Sequence, residues 1–227
     1  MIGIISALSL ETEMLIEKSS FDIKETVSGI DFHKIEIGGK DTVLAVCGVG
    51  KVNAARTAQA MILKYNPECI INTGVAGGLS SSLKIGDIVI SEKVVQHDMD
   101  TTALGDEPGF LSTPPLVFIP ADKSLLEKTI EVGASLDISV VSGTIASGDK
   151  FISSEEDRER IIRLFSAAAC EMEGAAIGQV CYLSEVPFLV IRAISDGGNS
   201  DSPMDYPTFA RFAAKRGAAL LEKLISL

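Results

Sequence analysis

The hydrophobic positions of this chain change period several times, and each change marks an element. Ile2-Gly3-Ile4-Ile5-Ser6 is a short apolar run that reads as a strand. Ser9 is placed to cap a following helix, with Glu11 in its first turn, where the helix dipole favours a carboxylate. Asp31 to Gly38 and Thr42 to Val49 alternate or run apolar on either side of Gly38-Gly39, which predicts a hairpin. Ala54, Ala55, Ala58, Met61, Ile62 and Tyr65 keep helical spacing over Val52 to Tyr65, and Pro67 stops the helix. Cys69 to Thr73 reads as a buried strand ending in a turn, Gly74-Val75-Ala76-Gly77-Gly78. Glycines there let backbone approach another group closely and offer N–H donors; a plain turn is the alternative, but the place at a strand's C-terminal end favours a ligand.

Gly86-Asp87 turns into the strand Ile88 to Ser91. Asp122 caps a helix to about Gly133, Val140 to Ile145 is a strand, and Ser153 or Ser154 starts a helix through Phe165. Gly174 to Tyr182 is a small-residue helix with Glu171 and Glu173 at its mouth. Pro187 then turns the chain into a near-continuous apolar strand, Phe188 to Ile191, which runs out into Arg192-Ala193-Ile194-Ser195-Asp196. Gly197 to Met204 is a polar loop. Tyr206 to Leu227 closes the chain as an amphipathic helix, with Phe209, Phe212, Ala213, Leu220, Leu224 and Leu227 as its buried stripe. Strands alternating with helices, plus an early hairpin, predict an α/β fold. It is a single domain over 1–227 with a mixed central β-sheet flanked by helices.

Composition narrows the function classes. A net charge of −11 argues against nucleic acid or an anionic membrane surface as partner, because both need basic patches. The start, MIGIISALSLETEM, has no basic n-region, and no apolar run reaches the length of a bilayer span. The four cysteines, Cys47, Cys69, Cys170 and Cys181, lack C-x-x-C spacing and read as reduced thiols of a cytoplasmic protein. His97-Asp98-Met99-Asp100 has the look of a metal cluster. The chain has only two histidines, however, and the other, His33, lies in a strand. A structural hydrogen-bonding role is expected for that run, and a zinc site is not. Gly48-x-Gly50-Lys51 sits between strand and helix but is too short for a Walker loop, so a tight turn is expected. The proline-rich Gly105 to Pro120 loop is long enough to reach a ligand or a neighbouring subunit.

Chemistry-bearing residues fall at the ends of the buried strands, the edge of an open α/β sheet at which ligands bind. Glu11, Glu173 and Asp196 come from three separate segments, and each also has a simple helix-terminus or turn reading. Phe151-Ile152 follows the turn Ser147-Gly148-Asp149, where an aromatic can stack on a flat ring or simply pack in the core.

One set of motifs, in order along the chain, carries a resemblance. It comprises Ile2-Gly3-Ile4-Ile5, Gly48-x-Gly50-Lys51, Asn72-Thr73-Gly74-x-Ala76-Gly77-Gly78-Leu79, Gly86-Asp87, Ser147-Gly148-Asp149-x-Phe151-Ile152, Glu171-Met172-Glu173 and Arg192-Ala193-Ile194-Ser195-Asp196. Together they resemble the 5′-methylthioadenosine/S-adenosylhomocysteine nucleosidases, within the purine nucleoside phosphorylase fold family, from Met1 to the last helix. The resemblance implies a nucleoside phosphorylase-like fold and a homodimer. It also implies hydrolysis of the adenine–ribose bond of methylthioadenosine, S-adenosylhomocysteine and 5′-deoxyadenosine, with no cofactor. By matching positions, it implies Asp196 as the acid at purine N7 and Glu11 as the residue that activates water. Glu173 takes the ribose hydroxyls beside Met172, Phe151 stacks on adenine, and Ile152 offers backbone groups to the base edge. Gly77, with Val75 and Ala76, lies against the ligand, and Ser195 helps place Asp196. Tyr206 and Phe209 cover the 5′-alkylthio tail, which Thr101 and Leu104 of a second subunit face. Val75 stands where many members carry Ser, and Thr101 and Leu104 are smaller or more polar than the tail pocket leads one to expect.

These residue types suit the reaction. Protonation lets adenine depart neutral, provided its surroundings raise the pKa of the Asp that supplies the proton. A fixed carboxylate at the ribose hydroxyls is attracted more strongly to the cationic transition state than to the ground state. A base on the other face activates water, the layout of an inverting glycoside hydrolase. The rivals are a nucleoside phosphorylase, an aminodeoxyfutalosine nucleosidase and a non-catalytic nucleoside sensor. The first needs arginines for phosphate, and none follows strand one or the Gly74–Gly78 turn. A dinucleotide oxidoreductase is disfavoured because G-x-G-x-x-G follows no predicted strand.

Overall fold

The computed structural model describes residues 1–196 and 206–227, and the side chains of Glu11, Asp196, Tyr206, Pro207, Phe209 and Ala210 lie outside that description. The predicted loop Gly197 to Met204 also lies outside it. The chain opens with β1 (Ile2–Ser6), followed by a 3-10 turn, Ser9–Glu11, and the short helix α1 (Glu13–Lys18). Thr12, rather than Ser9, occupies the cap position of α1, and it makes no side-chain capping bond. The hairpin is present as β3 and β4 of a three-strand meander, β2 (Ile23–Val27), β3 (Ile30–Ile37) and β4 (Lys40–Val46).

Helix α2 (Lys51–Tyr65) leads to β5 (Cys69–Gly78) and β6 (Ile88–Gln96). Short pairings, β7 (Leu111–Ser112), β8 (Pro115–Leu116) and β9 (Ile119–Pro120), lie within the proline-rich loop. Then follow α3 (Lys123–Ser135), β10 (Val140–Ser147), α4 (Glu155–Phe165), β11 (Ala167–Glu171), α5 (Gly174–Leu183), β12 (Phe188–Asp196) and α6 (Tyr206–Ile225). Asp122 and Ser154 cap α3 and α4 as expected, accepting from Leu125 N at 2.8 Å and Asp157 N at 3.2 Å.

Among the described residues one large mixed sheet runs β11-β10-β6-β12-β5-β1-β4-β3-β2. β1, β4, β5 and β12 are mutually parallel, and the meander is antiparallel. The last residues of β11 turn back against the last residues of β5, pairing Cys170 with Gly77 and Ala169 with Gly78. That pairing closes β5, β12, β6, β10 and β11 into a ring, which removes their free edges.

Two expectations change here. Gly74 to Gly78 is strand, not turn, because β12 pairs with it from Gly74 to Gly77 and β11 pairs with its end. Likewise Arg192 to Asp196 belongs to β12 itself, so Arg192 and Ser195 sit on the sheet rather than after it.

Helices cover both faces. α2 and α5 pack Ala54, Ala58, Met61, Ile177 and Cys181 against one face. α6 packs Leu220, Leu221 and Leu224 against the other, beside Leu15 of α1 and Val132 of α3. Burying each such leucine contributes about 1.5–3 kcal/mol. The α6 stripe differs from expectation at two positions: Phe212 is 49% and Leu227 66% exposed. The Phe212 ring lies beside the Arg216 guanidinium, 5.9 Å from its centroid, and Leu227 lies beyond the helix end. Phe209 falls among the side chains outside the description.

Candidate active site

The ends of β1, β4, β5, β10, β11 and β12 bring their following residues to one hollow of about 420 Å³. It is lined by Ala7 and Leu8 after β1, Val49 after β4, and Val75, Ala76 and Gly77 at the end of β5. Lys150, Phe151 and Ile152 after β10, Cys170 to Glu173, and Ser195 complete the lining. The sequence-predicted Gly77, Phe151, Ile152, Met172, Glu173, Val75, Ala76 and Ser195 therefore meet in one place. The backbones of Glu11, Asp196 and Tyr206 close a 3-10 turn, end β12 and begin α6; their side chains lie outside the description. Asp196 pairs with Gly77 in the sheet, and Gly77 and Ser195 line the hollow.

The two glutamates at the mouth of α5 do different things. Glu171 is the helix cap: both its oxygens accept from Gly174 N, at 3.0 and 2.8 Å, and Oε2 also accepts from Glu173 N at 3.1 Å. Ser147 Oγ donates to Glu171 and accepts from Ala175 N at 2.7 Å. The Arg192 guanidinium, 1% exposed, pairs with Glu171 and donates to Asn72 Oδ1 at 2.5 Å. Asn72 is fixed in turn by donating to Ile5 O at 2.9 Å. This buried network joins β1, β5, β12, β10, β11 and α5, so the strand ends that carry the hollow are tied together beneath it. Charges buried this deeply are tolerated because each is paired and hydrogen-bonded.

Glu173 occupies the N-cap position of α5 but makes no capping bond. Its side chain instead accepts from Gly50 N at 2.9 Å, and its second oxygen lies 3.8 Å from Arg192 Nη2. It is 5% exposed and lines the hollow. Phe151 is 61% exposed and presents its ring at the same site. Ser195 Oγ donates to Ala76 O at 3.4 Å.

Behind the Phe151 loop, Asp98 accepts from Lys51 Nζ at 2.6 Å and from Asp149 N at 2.8 Å. Burial pushes the Asp98 pKa up, but the bonds from Lys51 and Asp149 outweigh it and hold the carboxyl below its ordinary value. Asp98, and Asp100, which accepts from Thr102 N at 2.9 Å and Thr102 Oγ1 at 2.6 Å, fit the structural hydrogen-bonding role expected of 97–100. The His97 ring corrects it: it is buried, and neither ring nitrogen has a hydrogen-bond partner among the described residues. Among the described residues no group of three or more His, Cys, Asp or Glu is placed to hold a metal, and no helix is long and apolar enough to cross a membrane.

A family model described as the phosphorylase superfamily matches residues 1–226. The chain belongs to the phosphorylase superfamily. Within it, the chain is 43% identical over 229 residues to a 5′-methylthioadenosine/S-adenosylhomocysteine nucleosidase of Shewanella sediminis, covering 98% of this chain and 99% of that one. A nucleosidase of the same name from Neisseria meningitidis, solved in complex with methylthio-immucillin-A, superposes with a TM-score of 0.93 at 34% identity, covering 99% of this chain and 98% of that one. The futalosine hydrolase of Helicobacter pylori strain 26695 superposes with the same TM-score of 0.93 at 34% identity, covering 99% of this chain and 96% of that one. The mixed sheet flanked by helices is therefore the superfamily's nucleoside phosphorylase-like fold.

Sequence reasoning left Ala7, Leu8, Val49, Lys150, Cys170 and Glu171 out of the candidate site. The same strand-end rule that selected the Gly74–Gly78 segment also applies to Leu8 and Val49, which lie within three residues of the ends of β1 and β4. Arg192 was legible as a charge ending an apolar run, but not as the centre of a buried network.

Proposed function

We propose that this chain is an N-glycosyl hydrolase that cleaves the adenine–ribose bond of 5′-methylthioadenosine and S-adenosylhomocysteine, releasing adenine and the 5-thioribose product. 5′-Deoxyadenosine is a further substrate of the same site. The observation that carries the reading is Glu173: a buried carboxylate turned away from its own helix into a hollow it shares with Phe151, Ile152 and Gly77. A nucleoside offers complementary chemistry to each of these groups, hydroxyls for the carboxylate and a flat base for the ring and the backbone edge.

In the reaction, the bond between C1′ and purine N9 breaks with its electron pair leaving on the base. Asp196 delivers a proton to N7, so adenine departs neutral. Glu173 holds the ribose hydroxyls beside Met172 and stabilises the cationic sugar. Glu11 takes a proton from the water whose oxygen bonds to C1′. Val75, Ala76 and Gly77 bring the end of β5 close to the ligand, Ser195 positions Asp196, and Tyr206 covers the 5′ tail.

Hydrolysis is favoured over phosphorolysis by the lining. Among the described residues that line the hollow none is an arginine, and nearby Arg192 is committed to Glu171 and Asn72. Lys150, the lining cation, pairs with Asp157 at 2.7 Å. The likeness to a futalosine hydrolase favours a second reading, in which the hollow accepts the larger 5′ group of aminodeoxyfutalosine.

The chain works as a cytoplasmic homodimer, its four cysteines buried as thiols. Leu104, 83% exposed, and Val52, 78% exposed, are apolar side chains suited to meeting a second copy, with Thr101 and Leu104 facing the partner's tail pocket.

The deciding experiment incubates purified protein with methylthioadenosine in phosphate-free buffer and measures free adenine. Adenine release is expected without phosphate. Release only on adding phosphate identifies a phosphorylase, and tight binding with no release identifies a sensor. Running aminodeoxyfutalosine in parallel ranks the second substrate.

A further inference from the structure

Two loops that supply the hollow, one through Val49 and one through Phe151, are not held by the sheet alone. Gly50, which donates to Glu173, is followed directly by Lys51, and Lys51 reaches two other segments. Its backbone N donates to Asp149 Oδ1 at 2.8 Å, and its Nζ to Asp98 Oδ1 at 2.6 Å and Gln96 Oε1 at 3.1 Å. Asp98 completes the circuit by accepting from Asp149 N at 2.8 Å. Asp149 lies two residues before Phe151.

The backbone conformations belong to the same circuit. Gly50 has φ 101°, and a Cβ there would sit 3.2 Å from Asp149 Oδ1. At Gly148 a Cβ would collide with the His97 ring, so that ring seats the loop from beneath. Exposed ion pairs usually contribute little. This one is only 18% and 28% exposed, and both Asp98 oxygens are used, one on each loop.

We propose that Lys51 and Asp98 are positioning residues of the nucleosidase site: they clamp the loop carrying Phe151 to the turn that holds Glu173, fixing the distance between base platform and sugar carboxylate. The proposal rests on the nucleosidase reading for its kinetic consequence and on geometry alone for the clamp. Neither residue lines the hollow, so both act through others. A loosened loop weakens the hold on the base in ground state and transition state alike, which appears in KM more than in kcat.

The test pairs kinetics with amide hydrogen exchange on Lys51→Met, Lys51→Arg and Asp98→Ala. In Lys51→Met and Asp98→Ala, KM for methylthioadenosine is expected to rise about 10-fold while kcat stays within about 3-fold. Exchange across 148–152 is expected to rise about 10-fold or more while the core strands stay protected. Lys51→Arg, which keeps the charge, is expected to return KM to within about 3-fold of the original. Unchanged KM and unchanged exchange at 148–152 would overturn the clamp, as would equal loss of protection throughout the protein. A parent protein that releases no adenine defeats the nucleosidase reading instead, and the exchange result still decides the clamp.

Discussion

Gly50 donates its backbone N–H to Oε1 of Glu173 at 2.9 Å, across 123 positions of sequence. The second oxygen of Glu173 lies 3.8 Å from Arg192 Nη2, and the side chain lines the hollow instead of capping its own helix. Glu173→Gln keeps a carbonyl oxygen for Gly50 and removes only the charge. Turnover of methylthioadenosine is expected to fall about 10²–10³-fold, the scale of one preorganised electrostatic group. The melting temperature is expected to stay close to that of the parent. A large loss of stability with modest loss of turnover would make Glu173 a structural residue.

Glu171 is the opposite case. Its carboxylate is enclosed with Arg192, and removing one partner leaves a buried charge uncompensated. Arg192→Leu is expected to cost about 3–5 kcal/mol in urea unfolding. Glu171→Gln with Arg192→Leu is expected to recover part of that loss, because the stranded charge is gone. A double variant no more stable than Arg192→Leu would show that packing, not charge pairing, sets the cost.

The contrast between the two glutamates shows how far the sequence could be read. Strand ends rich in glycine and polar groups pointed to the hollow, since a buried apolar run followed by Gly or a charge has few other readings. Two acids spaced two apart at one helix mouth looked equivalent; Gly174 N and the closer side of Arg192 hold Glu171, while Gly50 N, from across the sequence, holds Glu173. Gly74 to Gly78 was read as a turn because glycine weakens strands. Pairing from both β11 and β12 overrides that local tendency. β2 was missed because it is a polar hairpin strand: Ile23 is 58% exposed and no residue of it is fully buried. Phe212 fits the helical stripe by spacing, yet it faces Arg216 instead of the core.

His97 gives a pH prediction. Burial is the main cause that pulls its pKa below the ordinary 6.5; Asp98 acts against this, while Arg160 and Lys51 add to it. The folded state therefore refuses a proton that the unfolded chain accepts below that value. The stabilisation is complete above about 6.5 and is lost as pH falls toward the depressed folded pKa. Asp98 is depressed too, but from 3.8, so its contribution fades in a lower range. Urea midpoints measured from about pH 7 to about pH 5 are expected to fall in the parent and to fall less steeply in His97→Gln. Parallel slopes in the two proteins would show that His97 is not the group that titrates.

The acid and the base can be told apart by what each leaves undone. Under the proposed mechanism, Asp196→Asn cannot protonate N7, and Glu11→Gln cannot accept the proton of water. Each is expected to lower adenine release from methylthioadenosine by about 10²–10⁴-fold with the fold intact. A ribosyl substrate that departs as a stable nitrophenolate needs no proton on its leaving group. With that substrate Asp196→Asn is expected to recover most of the parent rate. Glu11→Gln gains nothing from the change, because water still lacks its base. Near-normal adenine release by either variant would remove that residue from the mechanism. Equal recovery of both on the nitrophenyl substrate would mean that the two carboxylates do not divide the work between leaving group and nucleophile.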